Sequence, residues 1–183
     1  MRALALLGVS TAYAGIATTA AIALRIGLNA PAGPARSLSA FTPVVLVIAA
    51  AAALLYVLLF TQSATAFGEH SRLKREAKCR GEKPPTLAEV KYGGRYEAIL
   101  AADRCMGNYL EQLVPFLISL LGYAIYVSAN HAAAIGWAWI VFRSYYPFVY
   151  VLPFPALLAS TMPAYCCLWW MLGMTVYSAV SLP

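Results

Sequence analysis

Charge is scarce in this chain and concentrated in one region. Only 11% of its 183 residues are charged, all seven acids fall between Glu69 and Glu111, and no Lys, Arg, Asp, Glu or His follows Arg143. Histidine occurs twice, and the four cysteines (Cys79, Cys105, Cys166 and Cys167) have no Cys-x-x-Cys spacing and no close pair of histidines. That distribution points to neither a zinc site nor a disulfide framework, and no metal is expected. No Asn-x-Ser/Thr sequon is present, and Lys91-Tyr92-Gly93-Gly94-Arg95 lacks the glycine register of a nucleotide-binding loop.

Hydrophobic residues make up 62% of the chain, with a mean hydropathy of +0.71. This is the composition of a membrane protein. The net charge of +6 comes largely from Lys and Arg between Arg72 and Arg104. Those cations flank apolar runs, which fits a positively charged membrane face and anionic headgroups and argues against nucleic acid as a partner.

Residues 3–28 are apolar apart from Arg25 and long enough to span a bilayer. Ala12-Tyr13-Ala14 has the small-x-small form of a leader cleavage site, so a targeting segment is the alternative to a retained first span. A loop with prolines follows, and Phe41 to Phe67 is the clearest span, with an alanine block at 49–53 that permits close helix approach. Gly68 to Asp103 reads as a polar, cationic loop. Three further spans are expected, over about 101–128, 132–152 and 156–180. Asn130-His131 is expected to form the tight turn between the first two.

Within this lipid-like background, Arg104, Asn108 and Glu111 stand at i, i+4 and i+7, one polar stripe on a helix. Arg143, Tyr146 and Tyr150 make a second stripe at i, i+3 and i+7 on the following, antiparallel span. At about 1.5 Å per residue, Glu111 lies roughly 10 Å beyond Arg104, while Tyr146 and Arg143 lie roughly 9 and 14 Å in from Leu152. The stripes therefore overlap in depth. Intramembrane charges face protein, water or ligand, so Glu111 is the expected acceptor for Arg143. Two readings follow: a buried ion pair that locks the helices, or a polar pocket for a small zwitterion with carboxylates and an amine.

Arg104-x-x-x-Asn108-x-x-Glu111, then Pro115-Phe116, then Phe142-Arg143 with Tyr146 and Tyr150, resembles the motifs of the MAPEG superfamily, the membrane-associated proteins in eicosanoid and glutathione metabolism. The resemblance covers about Phe41 to Val180. It implies an all-α integral membrane protein, a four-helix bundle over residues 41–183, with residues 1–40 as an additional N-terminal transmembrane helix and loop. It further implies a homotrimer, or assembly with other membrane subunits, and residence in the endoplasmic reticulum or an organelle membrane. Glutathione would be the ligand of Arg104, Asn108, Glu111, Arg143, Tyr146 and Tyr150. If active, the chain would be a microsomal-type glutathione transferase or peroxidase acting on a lipophilic substrate. Members that activate glutathione use a further arginine beyond the third-helix tyrosines. Here Val151 to Leu158 carries no cation, so a non-catalytic subunit of a larger membrane complex is the alternative.

Overall fold

A computed structural model of the chain describes residues 37–94 and 96–181. The expected first span, residues 3–28, lies outside them. A 3-10 turn, Leu38–Phe41, leads into α1 (Thr42–Arg80); then come α2 (Leu87–Tyr92), α3 (Glu97–Tyr126), α4 (Ala129–Ser144), α5 (Tyr146–Tyr150) and α6 (Leu158–Ser181). Among the described residues the fold is all-α, as the resemblance implies. Helices α1, α3, α6 and α4 pack in a ring, each against the next, with α3 also touching α4 across it.

Helix α1 turns Val44, Val47, Ala51, Leu54 and Leu58 inward at heptad-like spacing and leaves Val45, Leu46, Tyr56 and Phe60 exposed. A helix that is apolar all round but buried on one stripe belongs in lipid. Among the described residues, α1 with its leading turn, and α3, are long and apolar enough to cross a membrane. Exposed Val114, Ile118 and Ile125 on α3 and Trp169, Trp170, Val176 and Tyr177 on α6 extend the apolar exterior.

A side chain of the neighbouring helix reaches the alanine block. The Tyr109 hydroxyl on α3 donates to the Ala51 carbonyl at 2.8 Å. Trp139 on α4 stacks on Phe116 with centroids 3.9 Å apart and tilts against Tyr109 at 5.5 Å. Gly136 permits this contact of α4 with its neighbours: a Cβ there would stand 2.7 Å from Val47 Cγ1 and 2.9 Å from Leu120 Cδ1.

Three expectations need correction. Residues 68–103 are not one loop, because α1 continues to Arg80 and α3 begins at Glu97. No proline interrupts 69–80, and Arg72 bonds Glu69 and Glu76 one turn to either side. These pairs raise the Arg72 pKa, chiefly through the hydrogen bond to Glu69. At about 1.5 Å per residue the 39-residue α1 is about 58 Å long, nearly twice a bilayer core of about 30 Å. Gly81, at φ 68°, ends it.

Within the connector, Thr86 and Glu89 form a reciprocal capping box that starts α2, and the Thr86 N–H and hydroxyl hold the Glu89 carboxyl below its usual pKa. Val90 and Ile99 then pack with Ala66, fastening the connector against α1.

The tight turn falls at Val127 and Ser128 rather than Asn130-His131, because Ser128 caps α4 by accepting from the His131 N–H. The span expected over 132–152 is not continuous either. It breaks at Tyr145, two residues before Pro147, which lacks the N–H that would bond the Arg143 carbonyl. Hydroxyls repair freed carbonyls near the prolines: Ser160 donates to Phe142, and Tyr145 donates at 2.8 Å to Ala159, whose helical donor would have been Pro163.

Gly136→Val should therefore lower stability by about 1–3 kcal/mol through overpacking against Val47 and Leu120. Gly173→Ala, whose added Cβ meets nothing within 4 Å, should be neutral or slightly stabilising. Thermal unfolding of the two purified variants checks the contrast.

Candidate functional site

Helix α3 carries its buried face on Cys105, Tyr109, Gln112, Phe116 and Tyr123. At 100° per residue, Arg104 and Glu111 lie within about 20° of each other, to one side of that face, and Asn108 lies about 40° from Arg104, toward the core. The structure follows this geometry: Arg104 and Glu111 are exposed, and Asn108 is half-buried.

Opposite stands the broken end of α4. Arg143 is buried at 1% exposure, and its Nη2 donates to Asn108 Oδ1 at 2.7 Å. Its guanidinium carbon lies 4.4 Å from the centroid of the Tyr146 ring, which in turn tilts against Tyr150 at 5.8 Å. Among the described residues, Arg143 Nε and Nη1 have no hydrogen-bond acceptor, so the amide oxygen and the aromatic face are what this charge rests on.

The expected Glu111–Arg143 ion pair is therefore not formed. Counting residues along the chain left out the angle of the two groups about the helix axis. Asn108 is turned inward, where it meets Arg143, whereas Glu111 lies about 60° further round, on the open side.

That open side is a pocket of about 340 Å³ lined by Leu100, Asp103, Arg104, Gly107, Asn108, Glu111, Tyr146 and Tyr150. It gathers five of the six residues singled out from the two stripes. Arg143 lies one layer behind, holding Asn108 and Tyr146. Sequence reasoning missed Asp103, Leu100 and Gly107. Continuing the stripe back one turn gives 100, 104, 107 and 111, a heptad-like run that would have found the last two. A Cβ on Gly107 would meet nothing within 4 Å, so the glycine leaves its side of the pocket open.

Asp103 comes from a third direction. Its Oδ1 accepts from Gln62 Nε2 of α1 at 2.7 Å, tying the pocket wall to the first helix. Leu100 and Tyr150 also border a second hollow of about 450 Å³, whose other lining residues are Glu97, Ala98, Ala101 and Val151. A polar pocket and a largely apolar one thus share a wall. No group of three or more His, Cys, Asp or Glu able to hold a metal occurs among the described residues, and all four cysteines are free thiols.

Chemically, the pocket offers one guanidinium, two carboxylates, an amide and two phenol hydroxyls. That donor set fits an amphoteric molecule the size of a short peptide. The family model described as MAPEG family matches residues 44–177, a stretch that contains every residue of this site. No curated protein matches the chain, and no solved structure does.

Because Glu111 is not the counter-charge of Arg143, Glu111→Gln should leave thermal stability unchanged to within about 0.5 kcal/mol, the range of surface substitutions. A loss of about 3 kcal/mol, typical of breaking a buried pair, would restore the ion-pair reading.

Proposed function

The chain belongs to the MAPEG family, and from that premise we propose that it is a membrane protein that binds glutathione in the pocket between α3 and α5. The observation that carries the reading is the convergence of Arg104, Asn108, Glu111, Tyr146 and Tyr150 on one pocket. Arg104 and the tyrosine hydroxyls suit the ligand's carboxylates, Glu111 its amine, and Asn108 its amides. The ligand would supply a thiol, which none of the pocket's described side chains offers. The hollow beyond Leu100 and Tyr150 suits a lipophilic partner molecule drawn from the bilayer.

Whether the bound thiol reacts depends on a cation beside the sulfur, since the thiolate is the nucleophile. Among the described residues, Arg104 is the one cation lining the pocket; Arg143 is committed to Asn108 and Tyr146; the connector from Val151 to Leu157 carries none. This supports a second reading of the same site, in which a MAPEG-type subunit binds the tripeptide or a lipid within a larger membrane assembly and performs no conjugation. Homotrimers, or complexes with other membrane subunits, are the assemblies we propose for it.

Gly107→Leu tests the site with little risk to the fold, because the added Cβ enters open space and leucine favours a helix by about 0.5–1 kcal/mol over glycine. Calorimetric titration of the purified protein with glutathione should show saturable binding, weakened at least about tenfold in the variant. Equal affinity in both proteins, or none in the wild type, contradicts the proposal. Turnover of a generic electrophile with glutathione then separates enzyme from binder.

A further inference from the structure

We infer that Asp103, held by Gln62, is a second acidic recognition group in the pocket, so that the site requires a ligand with a free amine and tolerates loss of a ligand carboxylate. The inference rests on the glutathione reading above and adds the charge preference of the site.

Three observations carry it. First, among the described residues the charged side chains lining the pocket are Asp103, Arg104 and Glu111, two acids and one cation. Neither Asp103 nor Glu111 has a cation within ion-pair distance among the described residues. Secondly, Arg143 is not on the pocket wall; it is buried behind Asn108 and Tyr146. Thirdly, Asp103 is half-buried and one of its oxygens is fixed by the Gln62 amide at 2.7 Å, a contact between residues 41 positions apart.

A neutral amide donor orients a carboxylate without cancelling its charge. A carboxylate has about four acceptor sites, so one hydrogen bond leaves capacity for a ligand. An ammonium group meets complementary charge at this wall and gains charge-assisted hydrogen bonds. A ligand carboxylate beside Asp103 and Glu111, in contrast, meets two like charges, which disfavours its ionised form.

A purely structural role for Asp103 would make it an interhelix tie and nothing more. Asp103→Asn distinguishes the two, since the asparagine oxygen can still accept from Gln62 while the charge is removed. Titrations use the full-length protein with glutathione, its N-acetylated form, in which the amine is blocked, and its monoethyl ester, in which one carboxylate is masked. The wild type should bind glutathione at least about tenfold more tightly than the N-acetylated form, the worth of one charge-assisted hydrogen bond. It should bind the ester at least as tightly as glutathione. Asp103→Asn should keep its thermal stability and narrow the amine preference severalfold.

An unchanged preference in Asp103→Asn would make the residue a tie and overturn the inference. Loss of tenfold affinity on esterification in the wild type would overturn it without recourse to any variant. Failure of the wild type to bind any of the three would instead overturn the glutathione reading, and this inference with it.

Discussion

A guanidinium buried inside a bundle of apolar helices must be satisfied by the protein itself, and Arg143 is that group here. Lipid offers it nothing, and burial in a low dielectric makes each missing acceptor expensive. Asn108 from α3 supplies an amide oxygen and Tyr146 from α5 an aromatic face. Through these two contacts the charge fixes both walls of the pocket relative to each other. Around it the apolar packing is close but non-directional: Trp139 on Phe116, Gly136 against Val47, and Tyr109 reaching the Ala51 carbonyl. Packing sets how near the helices come, and the Arg143 contacts help to set their rotation and register.

What the residue order reveals about this arrangement depends on which coordinate is asked for. Residue types and their spacing along one continuous helix could be read directly, because rise per residue is nearly constant. Thus Glu111 and Tyr146 were placed at one level, and they do line one pocket. Angle about the axis could not be read from spacing alone without knowing which face of α3 is buried. A difference of about 60° sends Asn108 to Arg143 and Glu111 to the open side. The charged segment after Phe67 looked like a loop because polarity was weighed more heavily than the i,i+3 and i,i+4 pairing of Arg72 with Glu69 and Glu76, which supports a helix. Pro147 announced a break that the unbroken apolar run around it obscured. Asp103 escaped notice for a different reason: its partner Gln62 lies on another helix, and contacts that distant in sequence leave no local pattern.

The site combines features that pull in different directions. Its polar residues and their position in an apolar bundle suit a small amphoteric thiol, and membership of the MAPEG family makes glutathione the natural candidate. Its cation count is low, since the chain carries no Lys or Arg after Arg143 and uses Arg143 for structure. Binding without activation of the thiol is therefore chemically coherent on this scaffold. The charged end of α1 and the capped α2 connector are held together by Ala66, Val90 and Ile99.

A double-mutant cycle across Asn108 and Arg143, read by reversible unfolding in detergent with Asn108→Ala and Arg143→Met, tests the central contact most directly. The account predicts a coupling energy of about 2 kcal/mol for this pair and close to zero for the corresponding cycle between Glu111 and Arg143. Independent effects at Asn108 and Arg143, with strong coupling of Arg143 to Glu111 instead, would contradict it.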